Sequence, residues 1–195
     1  ILIIAEHAAG KLNASTAKCL SCARKIGAAS IDVLVLADAP DAVAAEAAKL
    51  DGVSRVLTIT HPANAQPIAA VLAPQIVAAA AGYPHVLGPS TTYGKDLMPR
   101  VAALLGVSQI SDIMTVLGPY QFQRPIYAGN AIITIEAPAS QTVVATVRNA
   151  SFPATGEGRG AAPVEALAIN VALPTHTRYV GTQSGGGDRP DLQTA

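Results

Sequence analysis

Apolar residues follow two rhythms along this chain, and the change from one to the other near Gly106 is the first thing to explain. Before it, short all-apolar blocks alternate with longer stretches of helical spacing. Ile1 to Ala5, Ile31 to Ala37, Val53 to Thr60 and Tyr83 to Gly88 are blocks of strand length. Between them, Leu12, Ala17, Leu20, Ala23 and Ile26 recur at helical spacing from Lys11 to a stop at Gly27, with Asn13 or Ser15 as the cap. Pro40 opens a second helix through AVAAEAAKL, and Gln66 to Ala81 gives a third, with Pro67 in its first turn and a kink or break expected at Pro74. A fourth runs to Leu105, with Asp96 as its expected cap and Pro99 in its opening turn. Strands without polar alternation, separated by helices, predict a parallel sheet covered on both faces.

After Gly106 the candidates are Ile110 to Leu117, Gln121 to Tyr127, Ala131 to Glu136 and Thr142 to Arg148, with only short Gly, Pro and Asn connections between them. Hairpin-type connections follow from that spacing. The predicted fold is therefore α/β and three-layered, with a mostly parallel central sheet extended by antiparallel strands, Rossmann-like or adenine nucleotide alpha hydrolase-like. PATGEGRGAAPVEALAIN is an arm or loop by its Gly and Pro content, and Asn170 to Val180 is a candidate for one more strand. The predicted division is an α/β domain over 1–183 and a linker over 184–195, whose composition suggests that a longer polypeptide continues beyond it.

Composition narrows the function classes. Hydrophobic residues make up 50% of the 195, enough for a substantial core. No apolar run approaches the roughly 20 residues that cross a bilayer. ILIIA has neither a basic segment before it nor a cleavage pattern after it, so no signal peptide is expected, although one removed ahead of this numbering is compatible with that. Thirteen basic and thirteen acidic residues leave no field to collect nucleic acid or an anionic membrane.

The chemical motifs are sparse. Cys19 and Cys22 form C-x-x-C, either a redox dithiol or two small side chains one helical turn apart. His7, His61, His85 and His176 stand in no metal spacing. EHAAGKLN after the first strand lacks G-x-G-x-x-G. Gly88, Pro89, Ser90, Thr91 and Thr92 either form an anion nest before a helix or satisfy that helix's free amides, so an adenine-nucleotide-binding domain is the alternative function. Glu6 and His7 are neighbours on an extended backbone and so point apart, and Asp96 near Lys95 and Arg100 suits a solvated helix end. No nucleophile or base accompanies Arg124, which leaves a structural role.

The order of these segments carries more. ILIIAEHAAGKLN, DGVSRVLTI, GPSTTYGKDLMPRVAALLGVSQISDIMTV, QFQRPIYAGNAI, TVRNASFPATG and the terminal DRPDL together resemble the N-terminal domain of the electron-transfer flavoprotein alpha subunit, across nearly the whole chain. The resemblance implies a heterodimer containing FAD. It would take electrons from flavoprotein dehydrogenases, typically the acyl-CoA dehydrogenases of fatty acid beta-oxidation, and pass them to a quinone oxidoreductase or another acceptor. It implies that FAD is held mainly by a C-terminal domain whose S-G-G-R-G segment this sequence lacks, and that AMP, where present, belongs to the beta subunit. No catalytic, cofactor-binding or metal-binding residue is therefore assigned in this chain. What carries over is a scaffold that docks the beta subunit beneath a mobile flavin domain. Arg124, Tyr127 and Asn130 match R-x-I-Y-A-G-N, at a demanding turn near that interface. The CLSC pair is not a family hallmark. The implied location is the bacterial cytoplasm, or alternatively the mitochondrial matrix.

Overall fold

The computed structural model describes residues 1–181 and 183. The chain opens with β1 (Leu2–Ile4), a two-residue hairpin of β2 (His7–Ala8) and β3 (Lys11–Leu12), and α1 (Ser15–Ile26). Then come β4 (Asp32–Ala37), α2 (Asp41–Ala48), β5 (Arg55–Thr60), a 3₁₀ turn at Pro62–Ala65, α3 (Ala69–Ala79), β6 (His85–Pro89) and α4 (Thr92–Leu105). Beyond the rhythm change lie β7 (Gln109–Ile113), β8 (Thr115–Gly118), β9 (Gln121–Ile126), β10 (Ala131–Glu136), β11 (Val143–Val147) and β12 (Val164–Ala166).

The central sheet has seven strands in the order β12-β5-β4-β1-β6-β11-β7, and every pairing in it is parallel. Alternate side chains of its strands enter two cores. Ile3, Val33, Val35, Leu87 and Ala145 pack under α1 and α2, while Leu2, Ile4, Leu34, Leu57, Val86 and Val144 pack under α3 and α4. This is the three-layer α/β class predicted from the sequence. The antiparallel strands are gathered in a sheet of their own, β10-β9-β8, and the 142–148 candidate instead joins the central sheet as β11, between β6 and β7.

Local boundaries differ from the expectations in instructive ways. The helix expected from Lys11 begins at Ser15, because Ala9 (φ 49) and Gly10 (φ 75) turn the chain into the β2–β3 hairpin first. Asn13 does serve the start, accepting the Ser15 amide at 2.9 Å, and Gly27 ends the helix at φ 85. The third helix begins at Ala69, leaving Pro67 outside, since Gln66 and Ile68 are extended. It runs unbroken through Pro74. An interior proline costs about 3 kcal/mol, which burial of Leu72 and Ile76, at roughly 1.5–3 kcal/mol each, offsets.

The fourth helix starts a turn earlier than expected. Thr91, not Asp96, is its cap, accepting the Gly94 amide at 3.3 Å. Asp96 sits in the second turn and Pro99 lies inside the helix. The helix head is pressed so close to β6 that a Cβ on Gly94 would stand 1.8 Å from the Pro89 carbonyl oxygen, so only glycine fits. The 110–117 candidate divides at Met114 between two sheets. No strand forms over 170–180; the late strand is β12, and it falls within the Gly- and Pro-rich stretch taken for an arm. The predicted linker over 184–195 lies outside the described residues.

Candidate functional site

The strand order turns at β1: the chain lays β4 and β5 on one side and returns to place β6 on the other. Open α/β sheets bind ligands in the crevice at such a switch point, outside the carboxyl ends of the strands. Here a carboxylate of the chain itself ties together the two helix heads that border that crevice. Glu6, just past β1, accepts the Thr91 hydroxyl at 2.9 Å and the Ser15 hydroxyl at 3.0 Å. Its carboxylate thus lies at the heads of α4 and α1, where an incoming phosphate would otherwise meet partial positive charge. Thr91 is committed twice, to the cap and to Glu6.

Glu6 and His7 diverge as their adjacency requires: His7 Nε2 lies 2.9 Å from the Leu36 carbonyl oxygen. A cleft of about 420 Å³ borders His7, Leu36, Asn64 and Tyr93, and neither Lys nor Arg lines it. Several of the polar groups around it are already engaged. Tyr93 donates to the Ala5 oxygen at 3.3 Å, and the Asn64 and Gln75 amides exchange bonds at 3.0 and 2.6 Å. At the heads of α1 and α4, where a diphosphate would be met by donors or cations, this chain has placed a carboxylate.

Cys19 and Cys22 are fully buried free thiols on α1. Burial pushes Cys22 up to about 12, and burial, with Cys22 and Glu6 nearby, raises Cys19 well above the thiol range. A redox dithiol needs accessible thiolate, so these two are packing residues. Lys95, Asp96 and Arg100 lie exposed on α4. His61 caps the 3₁₀ turn by accepting the Ala63 amide at 3.0 Å, and His176 is exposed. Among the described residues, no three His, Cys, Asp or Glu side chains gather as a metal site would require.

The antiparallel sheet presents the contrasting surface. Its register sorts the side chains by face. Phe122 stands opposite Val116 and Ile135, and this inner row packs into the core, with Phe122 at 0% exposure. The next row, Thr115, Gln123 and Thr134, faces outward with Ile132, and exposure along β10 alternates residue by residue. Arg124, opposite Ile133, belongs to the inward set and is half-buried.

The β9–β10 turn holds Tyr127 (φ 50), Ala128 (φ 55) and Gly129 (φ 93) in left-handed conformations. Such a run is unfavourable by roughly 1–2 kcal/mol at each non-glycine residue. Asn130 offsets part of that by donating its side-chain and backbone N–H groups to the Tyr127 oxygen at 2.8 and 3.1 Å. The turn thrusts the Tyr127 ring outward at 79% exposure, near Ile132 at 56%, while Leu117, at 51%, lies at the other end of the sheet beside the β8–β9 turn. Of the three motif residues, Asn130 builds the turn, Arg124 lines its base and Tyr127 is displayed.

A group that the sequence alone concealed lies at the opposite, amino end of the central sheet. Asp32, buried, accepts from Arg55 Nε at 2.9 Å, from the Tyr83 hydroxyl at 2.5 Å and from Ser30 Oγ at 3.1 Å. Arg55 also pairs with Glu165 of β12 at 3.2 Å, so the cluster fastens the edge strand. Its members come from four separate segments with no shared spacing, which is why no motif announced it.

A family profile described as "Electron transfer flavoprotein domain" matches residues 1–172. The chain belongs to the electron transfer flavoprotein family. Over its whole length it is 44% identical to electron transfer flavoprotein subunit alpha of Pseudomonas aeruginosa and spans 62% of that protein. It is 39% identical, over its whole length, to the subunit alpha of Paracoccus denitrificans, again spanning 62%. A mitochondrial subunit alpha from Dictyostelium discoideum is 35% identical and is spanned over 58% of its length. Within this electron transfer flavoprotein family the chain thus corresponds to the N-terminal domain of alpha subunits, while a further third or more of those relatives lies outside the match.

Proposed function

We propose that this chain is the scaffold and docking part of an electron-carrier subunit, whose full-length protein passes electrons from flavoprotein dehydrogenases, typically acyl-CoA dehydrogenases, to a quinone oxidoreductase or another acceptor. The beta subunit is the docking partner, in a bacterial cytoplasm or a mitochondrial matrix. FAD is held outside these residues, and AMP, where present, in the beta subunit. One observation carries the docking role: the outer face of β8–β10 displays Tyr127, Ile132 and Leu117 on a sheet that Phe122 anchors rigidly from below. Large apolar side chains on a stiff surface can be covered by a partner without first being ordered, which keeps the entropic cost of association low.

The carboxylate in the crevice supports the same reading from the other side. A carboxylate at the helix heads of the switch point repels a cofactor's diphosphate there. No electron-transfer step is therefore assigned to residues of this chain.

Copurification with the beta subunit tests the proposal. Full-length protein should retain the beta subunit, and Ile132→Asp combined with Tyr127→Asp should lose it while the circular dichroism spectrum is unchanged. Undiminished copurification of the double variant would move docking elsewhere. The 195-residue chain purified alone should show no stoichiometric flavin absorbance, and tight FAD binding by it would overturn the assignment of the cofactor to other residues.

A further inference from the structure

Two sheet edges in this molecule are finished differently. β12, at one end of the central sheet, is three residues long, follows Pro163 and carries Glu165, which pairs with Arg55. Shortness, proline and charge are the usual guards against a foreign strand. β10, at the rim of the antiparallel sheet, is six residues, AIITIE, with no Pro, Gly or Lys among them and its charge at the last position.

The register decides which backbone groups of β10 are spent. The Ala137 amide donates to the Tyr120 oxygen at 2.8 Å, in line with the β9–β10 ladder. Bonded pairs alternate along an antiparallel ladder, so Ile135–Phe122, Ile133–Arg124 and Ala131–Ile126 exchange bonds and the pairs between them do not. Pro125 agrees: it faces Ile132 and has no N–H to give. The N–H and C=O groups of Ile132, Thr134 and Glu136 therefore point away from β9, and no other described residue bonds them. Free donors and acceptors thus alternate along about 20 Å of strand.

Side chains on both sides of this rim are also uncovered. Ile132 is exposed on the outer face, while Ile133, on the inner side, is only half-buried and stands outside both cores. An apolar face alone can be covered by many surfaces, but a row of free amides and carbonyls is matched by an extended backbone. The turn from Tyr127 to Gly129, tied by Asn130, fixes where that row begins.

We infer that β10 is a strand-addition edge: an extended segment of the beta subunit, apolar at alternating positions, pairs with it and lengthens the antiparallel sheet by one strand. The inference rests on the docking reading above and gives its mode of attachment. Ile132 belongs to both the outer face and the rim, so the two are continuous. Backbone bonds supply the affinity. Ile132 and Thr134 on one side, with Ile133 and Ile135 on the other, select the side chains of the added strand.

Proline at an outward-pointing position removes a donor and fills the rim with a ring, leaving the bonds to β9 untouched. Thr134→Pro should weaken beta-subunit binding by the full-length protein about hundredfold with an unchanged circular dichroism spectrum, whereas Thr134→Val, which keeps the N–H, should stay within about twofold. On β12, Pro163 accepts from Val56 and Leu167 donates to Thr58, so the Ala166 N–H points outward as well. Ala166→Pro is thus the matching change on the guarded edge, and it too should stay within about twofold. Binding by Thr134→Pro equal to that of Thr134→Val overturns the inference.

A second readout needs no variant and decides the matter even where Thr134→Pro fails to fold. In the wild-type full-length protein without its partner, the amides of Ile133 and Ile135 should exchange slowly and those of Ile132, Thr134 and Glu136 fast. Adding the beta subunit should slow the latter three about hundredfold or more, and unchanged exchange there overturns the inference. Slowing that follows protein concentration and a doubled mass, with no beta subunit present, makes a second copy the occupant and overturns it too. If the Tyr127→Asp, Ile132→Asp variant binds normally while the three amides still slow, the outer-face reading falls and the edge pairing stands.

Discussion

The switch-point crevice and the outer face of the antiparallel sheet come to opposite states. In the crevice, Glu6, His7, Thr91, Tyr93 and Asn64 each have a polar atom bonded to another side chain or to backbone. On the sheet, Tyr127, Ile132 and Leu117 keep apolar surface turned to solvent. Location in a fold is thus a weak guide to use. The place where α/β proteins usually work has a carboxylate at its helix heads here, and an appended sheet carries the exposed apolar surface.

Substitutions can break that contrast, and the largest effect is expected beneath the open face. Phe122→Ala should cost about 3–5 kcal/mol in denaturant unfolding, because the side chain is wholly buried in the core beneath the antiparallel sheet. A cost below about 1 kcal/mol would mean that the antiparallel sheet is not anchored through this ring. Next, on the closed side, Gly94→Ala should cost about 2–3 kcal/mol, since its methyl group must displace the Pro89 carbonyl. Glu6→Ala follows at about 1–2 kcal/mol, leaving the Ser15 and Thr91 hydroxyls without their acceptor. A stabilised Glu6→Ala chain would show that the carboxylate is a functional burden and not a fastener.

Smallest of all, Ile132→Ser should change the stability of the isolated chain by less than about 0.5 kcal/mol while weakening beta-subunit docking. A loss above about 1 kcal/mol in the isolated chain would mean that this face is covered by the chain itself. Iodoacetamide at neutral pH should leave Cys19 and Cys22 unmodified in the native chain, as burial keeps both protonated.

Much of the central sheet was legible because burial on both faces strips strands such as VLVL of polar residues. The outer sheet was legible for the opposite reason: AIITIE alternates and a demanding turn precedes it. What escaped was set by distant partners. Thr91 took the cap from Asp96 because the helix head is pressed against β6 through Gly94, a contact invisible in local spacing. β12 escaped because β5 supplies its hydrogen bonds, whatever the composition around it. Glu6 was noticed beside His7, but its true partners are 9 and 85 residues away. The Asp32, Arg55 and Tyr83 cluster spans comparable gaps, so pairwise spacing had nothing to offer.

The pairing of β12 with β5 joins Val164 to Val56, and it has a consequence for synthesis. On the ribosome, β5 emerges more than a hundred residues before its outer neighbour, and throughout that interval its backbone is an open edge. A nascent chain arrested between those points would be sticky along that margin. The Arg55–Glu165 pair, 3.2 Å apart, forms only as that edge of β5 is covered.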